Sequence, residues 1–217
     1  MPQPRIERKI DQLKNMIRPV LYFSKKIESI VDFCAGSGQL GVLINCMLPN
    51  HNIILVENKE ESIIKAKQLA MNQKNITIHQ TNLDHFQQSF DLGICLHGCG
   101  FVSDFVLQKC INQRSFFVIC PCCYGSIKET SKIKYPQSKM LQQVFSHNEF
   151  ITIAHSADQT QQHTIKEEIG KTCMSIVDLD RSLKAQENDY KTFVYKMQPE
   201  SCSPKNNLII GIPLEKC

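Results

Sequence analysis

No apolar run in this 217-residue chain approaches the ~20 residues that a membrane-spanning helix needs, and its N-terminus lacks the apolar core of a signal peptide. Both absences lead to the expectation of a soluble, cytoplasmic protein. The sequence also has no internal repeat and no linker long enough to divide it, so one large domain is the better prior for a chain that is 42% hydrophobic. The doubled C-x₂-C spacing of ordinary zinc sites is missing despite 11 cysteines. That count is odd and most of the thiols fall within strand or helix patterns, which argues against a disulfide framework and for reduced side chains. Charge is nearly balanced: the formal net of +4 falls entirely within residues 1–28, which hold seven Lys/Arg and three Asp/Glu.

That basic segment places Ile6, Ile10, Leu13 and Ile17 at helical spacing and predicts a helix that ends at Pro19. Two readings stand for it. It is either a helix laid on the domain with its charged side solvated, or a surface on which Arg5, Arg8, Lys9, Lys14 and Arg18 meet RNA phosphates. Residues 29–217 read as the domain itself.

The organising stretch is Ser29 to Gly41, S-I-V-D-F-C-A-G-S-G-Q-L-G. A short apolar run breaks into Gly36, Gly38 and Gly41 before a helical pattern begins, which predicts a strand, a tight turn and a helix N-terminus that receives a nucleoside cofactor. The G-x-G-x-x-G spacing serves dinucleotides and S-adenosylmethionine alike. Ile53 to Val56 follows as a second strand ending in Glu57, placed to accept from both ribose hydroxyls. Helical patterns cover Gln39 to Met47, Lys59 to Asn72 and Val102 to Ile111. Further strands are expected at Ile76 to His79, Phe90 to Leu96 and Ser115 to Cys120. Strand and helix alternate five times, so the fold class is α/β with a parallel sheet. Ser126 to Phe150 reads as a substrate-side insertion with a helix from Ser138 to Phe145. A helix from Ile169 to Ala185 and two closing strands, Thr192 to Met197 and Leu208 to Ile212, complete the chain.

The runs V-D-F-C-A-G-S-G, L-H-G-C-G and C-P-C-C-Y-G-S-I, and the later A-D-Q-T, G-K-T-C-M-S-I-V-D-L-D-R and P-E-S-C-S-P-K-N-N, resemble the methyltransferase-like domain found in glutathione S-transferase C-terminal domain-containing protein, over about residues 25–214. The resemblance implies a Rossmann-like class I fold, a seven-stranded, mostly parallel sheet with helices on both faces, and S-adenosylmethionine as cofactor. A tRNA 2′-O-methyltransferase family shares a similar H-x-C-G tip, D-x-x-R helix and S-P-x-N loop, which makes RNA the leading partner. Asp32 would then hold the cofactor's ammonium, Gly36 and Gly38 would line its amino-acid end, Glu57 its ribose and Asn82 its adenine amino group. Asn82 stands where many relatives carry an acid, and a turn asparagine is the alternative. The chain departs from the usual D-x-G-x-G-x-G at Cys34, which replaces the first glycine.

Ligands of open α/β sheets sit beyond the carboxyl ends of the strands. His97 is the candidate general base there, or else a cofactor contact, and Tyr124 either stacks on a base or packs beneath its loop. Cys122, Cys123, Asp178, Arg181, Ser203 and Asn206 are placed on the substrate side, with Asp178 and Arg181 alternatively a plain i, i+3 pair. Cys99, Cys120, Cys122, Cys123 and His97 could ligate a metal only by converging from separate strands. Thiols lining a pocket wall, and no metal, are the expectation. The competing function is a non-catalytic methyltransferase-fold module binding RNA or protein, and a nicotinamide oxidoreductase stands third.

Overall fold

The computed structural model describes residues 3–159 and 164–217. Seven strands, β1 (Ser29–Phe33), β2 (Asn52–Glu57), β3 (Ile76–Gln80), β4 (Leu92–Cys99), β5 (Phe116–Cys122), β6 (Tyr190–Lys196) and β7 (Asn207–Pro213), form one sheet in the order β3-β2-β1-β4-β5-β7-β6. The first five run parallel, and β7 runs antiparallel to both β5 and β6. The strand order reverses between β1 and β4, so the carboxyl ends of these two strands flank the crevice where such sheets bind ligands.

Strand alternation divides the core in two. Ile30, Ile94, Phe116 and Val118 face one layer, while Val31, Cys95, Phe117 and Ile119 face the other. The first layer is covered by α1 (Gln3–Phe23), α2 (Gln39–Met47) and α3 (Glu60–Ala70). On the second face lies α4 (Val102–Gln113). The chain between β5 and β6 adds α5 (Lys139–Gln142), α6 (His147–Ser156) and α7 (Ile165–Gln186), and α7 shares the second face through Ala185. The same insertion builds a third apolar cluster around Tyr124, Phe150, Met174 and Val177. Among the described residues no helix is long and apolar enough to cross a membrane.

Strand ends shift by one to three residues from the sequence pattern, β4 running to Cys99 rather than Leu96, and three helices differ more. Helix α1 runs through Pro19 to Phe23. The proline removes one backbone hydrogen bond, worth ~3 kcal/mol in a helix interior, but Val20 and Phe23 are buried and Phe23 stacks on Phe116 at 4.7 Å. Burying each such side chain contributes ~1.5–3 kcal/mol. Ile6 and Ile10, expected on the packed face, stay 38% and 45% exposed, so α1 is anchored by its second half. The helix expected from Ser138 to Phe145 is a single turn. Ser138 caps it, and a second cap interrupts at Ser146, where Ser146 and Glu149 form a capping box that opens α6. That S-x-x-E signal is legible in the sequence, and the low periodicity of its surroundings hid it. Helix α7 starts a turn before Ile169, where Thr164 accepts from the Glu167 amide. Of the A-D-Q-T run, Thr160 lies outside the described residues.

Candidate functional site

The turn after β1 forms as the glycine spacing requires. Cys34, Gly36 and Gly38 have φ of 58°, 57° and 77°, all left-handed. For Cys34 that conformation costs ~1 kcal/mol where glycine would pay nothing, yet the turn is made. The Ala35 amide reaches the Val56 carbonyl at 3.1 Å and the Gly38 amide reaches Ala35 at 2.9 Å. A Cβ at Gly36 would meet nothing within 4 Å, so its lack of a side chain leaves open space above the turn. Asp32 is buried and accepts from the Gly41 amide at 3.2 Å. Burial raises its pKa to about 7, against the pull of that hydrogen bond and of Lys9.

Glu57 closes the turn from β2. One oxygen accepts from the Gly36 amide at 2.9 Å, and the other from the Asn58 and Lys59 amides, also at 2.9 Å. Asn82 sits beside it, its amide oxygen 3.0 Å from the Asn58 side-chain nitrogen. Glu57, Asn58, Asn82, Cys34, His97 and Phe101 line a cleft of about 490 Å³, within the ~300–1,000 Å³ of small-molecule sites. A second compartment of about 250 Å³ is lined by Asp32, Gly36, Ser37, Gln39 and Lys9 and shares Cys34 with the first. A third, of about 420 Å³, is lined by Arg5, Arg8, Lys9, Gln12, His97 and Ser203. It shares His97 with the first and Lys9 with the second, so the three adjoin.

His97 stands at their junction because β4 is irregular there. The β4–β5 register steps between Leu96 and Gly98, and His97 takes φ of 67° in the bulge. Its Nε2 lies 3.0 Å from the Gln12 amide oxygen. The Gln12 amide nitrogen is engaged at 2.8 Å with the Cys202 carbonyl, which can only accept, so the oxygen of Gln12 is the atom facing His97. His97 therefore donates from Nε2 and keeps the lone pair on Nδ1. Burial, and then the charge of Lys9, lower its pKa and favour the neutral ring.

Other sequence candidates land elsewhere. Tyr124 is fully buried, its hydroxyl donating to Asp178 at 2.7 Å, so its ring is closed to a stacked base. Asp178 and Arg181 form the i, i+3 pair at 2.9 Å, buried in the core. Arg181 also grips Asp104 through two bonds of 2.8 and 3.0 Å. These three residues are scaffold. Their sequence positions follow strand and helix ends, but the burial that decides their role comes from the insertion packed over them. Ser203 lines the third compartment and holds its own loop, accepting from the Lys205 amide at 3.1 Å. Asn206 turns inward and donates to the Glu200 carbonyl at 3.3 Å, behind that wall.

Cys122 and Cys123 come together with Cys99, each 3.4 Å from its sulfur. Cys120 points away, toward the Lys205 carbonyl. The sequence reading did not foresee Gln12, or that the basic end of α1 forms a wall of the site. The signal was there: Arg5, Arg8, Lys9 and Gln12 recur at i, i+3, i+4 and i+7, one helix face.

Residues 5–130 match the model of a methyltransferase domain family. Glutathione S-transferase C-terminal domain-containing protein of Xenopus laevis is 44% identical over 99% of this chain, and its Homo sapiens counterpart 43% over 99%. The chain spans only about a third of the length of these relatives, 36% and 34%. Among solved structures, the plantazolicin methyltransferase BpumL in complex with SAH superposes with a TM-score of 0.53 at 14% identity, covering 96% of this chain and 84% of that one. A fibrillarin/Nop5p complex chain gives 0.53 at 15%, covering 86% and 72%. With the seven-stranded sheet in its reversed order and the glycine turn at its centre, the chain belongs to the methyltransferase domain family and has the Rossmann-like class I fold of S-adenosylmethionine-dependent methyltransferases.

Proposed function

We propose that this chain binds S-adenosylmethionine and transfers its methyl group to RNA. The observation that carries the reading is the junction of three compartments at Cys34, Lys9 and His97. The residues fit the cofactor. Glu57 offers a carboxylate to the ribose and Asn82 an amide oxygen to the adenine. Asp32 and Lys9, opposite charges in the small compartment, suit the ammonium and carboxylate of an amino acid. The open space over Gly36 admits the chain between them. When bound, the sulfonium supplies an already activated methyl group. The protein's task is alignment and, for a ribose hydroxyl, removal of a proton. Neutral His97 can take that proton at Nδ1 while Gln12 holds Nε2. Arg5, Arg8 and Lys9 line the third compartment and favour an anionic acceptor such as the RNA backbone.

The pH dependence of cofactor affinity tests the small compartment. An ammonium needs ionised Asp32, whose pKa is about 7 in the free protein. Between that value and ~8, where the ligand's own α-amino group begins to lose its proton, affinity is expected to be nearly flat. Below the Asp32 value, binding must first expel a proton, and affinity falls toward ~tenfold per pH unit. Titration calorimetry at several pH values reads the slope. An Asp32→Asn variant with the same slope as the parent would overturn the assignment.

Transfer itself is tested with labelled S-adenosylmethionine and fractionated cell extract. The label is expected in RNA, and His97→Gln is expected to slow transfer ~10²–10⁴-fold, the usual contribution of a positioned base, with cofactor affinity nearly unchanged. Label in protein alone would refute the acceptor class. Tight cofactor binding with no transfer to either would favour the binding module.

A further inference from the structure

We propose that Cys99, Cys122 and Cys123 form a zinc site of three thiolates whose fourth coordination position is left open to an exchangeable ligand. All three sulfurs lie within 4.8 Å of one another, and Cys99 is 3.4 Å from each of the other two. A tetrahedral zinc ion with bonds of ~2.3 Å sets its sulfur ligands ~3.8 Å apart, so the two Cys99 distances need to lengthen by only ~0.4 Å, and the Cys122–Cys123 separation, within 4.8 Å, lies no more than ~1 Å above the target.

Two irregularities of the backbone bring the thiols together. The bulge at His97 moves β4 by one residue, so Cys99, rather than Gly98, stands opposite Cys122. Consecutive residues of a strand point to opposite faces. Cys123, at φ of 50°, leaves the strand in the left-handed region and swings its thiol to the side of Cys122 and Cys99. Non-glycine residues adopt that conformation at a cost, here at the position that completes the cluster. The Gly100 amide then ties the two strand tips by bonding the Cys122 carbonyl at 2.9 Å.

The chemistry of the donor set selects the metal. Coordination by three cysteine sulfurs requires their thiolate forms, so a divalent ion that binds here displaces the thiol protons to solvent, with no change of oxidation state at any atom. Thiolate sulfur suits zinc better than the hard cations that prefer oxygen. His97 is engaged with Gln12, and Cys120 points to Lys205, so among the described residues neither completes the set. Three protein ligands with an open position are the arrangement of reactive zinc sites rather than closed structural ones. Cys99 also lines the largest compartment beside His97, which makes the ion reachable from the cleft.

The test is metal analysis of the full chain purified under reducing conditions from zinc-supplemented cells, then exchanged into metal-free buffer. About one zinc per chain is expected. Replacement with Co²⁺ is expected to give sulfur-to-cobalt charge-transfer absorption and the strong visible bands of tetrahedral geometry. Cys99→Ser and Cys123→Ser remove partly exposed sulfurs and should keep the fold by circular dichroism while zinc content drops at least tenfold. Cys46→Ser, on the exposed side of α2, should retain full zinc. Zinc below a tenth of stoichiometry without cobalt absorption, zinc unchanged in both variants, or copper bound in place of zinc would each overturn the proposal.

Discussion

Glu57→Ala is expected to weaken binding of S-adenosylmethionine and its demethylated product by ~10–10²-fold. Three of the roughly four acceptor positions of the carboxylate are taken by the Gly36, Asn58 and Lys59 amides, which leaves one for a ribose hydroxyl, a charge-assisted hydrogen bond worth ~1.5–3 kcal/mol net. That range corresponds to one to two decades of affinity. The carboxylate has a second task. It accepts from the Gly36, Asn58 and Lys59 amides, so its loss frees three donors of the turn that shapes the cleft. Glu57→Gln should therefore rescue little, because its amide nitrogen must face one of those N–H groups, donor against donor. Calorimetric titration of both variants with the demethylated product checks this. Affinity within threefold of the parent in Glu57→Ala would separate the residue from the cofactor.

The sheet and the first half of the site were legible in the sequence because they rest on local rules. Strands of the parallel core read as apolar runs, and Gly36, Gly38 and Glu57 follow from what a strand–turn–helix crossing must do with its backbone. The second half was not, since it depends on what a long insertion covers. Tyr124 at a strand tip looks available for stacking until α6 and α7 close over it. The signature runs that carried the resemblance turn out to converge beneath that tip. Asp158 accepts from the Tyr124 and Gly125 amides at 3.1 and 2.8 Å, Lys205 pairs with Asp158 at 2.6 Å, and Asn207 donates to Asp178 at 2.8 Å. These residues recognise the fold of the tip rather than the acceptor. The place of Lys9 beside Asp32 was hidden for the opposite reason. A lysine on an amphipathic helix is ordinarily solvated, and only the docking of α1 through Leu13, Met16 and Ile17 carries it to Asp32.

Arg181→Met should cost ~3–5 kcal/mol of folding stability, the penalty for breaking a buried ion pair, against the ~5–15 kcal/mol that holds a typical domain. The guanidinium spans two carboxylates in the dry core, Asp104 through two bonds and Asp178 through one, and also donates to the Gly100 carbonyl at 3.3 Å. The remaining donors to the two acids, from Tyr135 and Gln137 on Asp104 and from Tyr124 and Asn207 on Asp178, are neutral and cannot replace its charge. In the variant Asp178, which burial already raises above the ordinary carboxylate range, loses the guanidinium charge that pulls it down. Its folded-state pKa then lies further above the unfolded one, so the stability loss grows as pH rises and shrinks toward acid. Chemical denaturation at pH 5 and pH 8 reads that sign. A triple variant that adds Asp104→Asn and Asp178→Asn should recover part of the loss, because amides carry no uncompensated charge. Arg181→Lys should recover little, since an ammonium cannot make the forked contact with Asp104 while also reaching Asp178 and Gly100. The network fastens the tips of β4 and β5, which carry His97, Cys99 and Cys122. Its rupture is therefore expected to abolish methyl transfer before the sheet itself unfolds, as loss of activity at denaturant concentrations that leave far-ultraviolet circular dichroism intact. Coincident loss of both signals would show that the tips and the sheet form one cooperative unit.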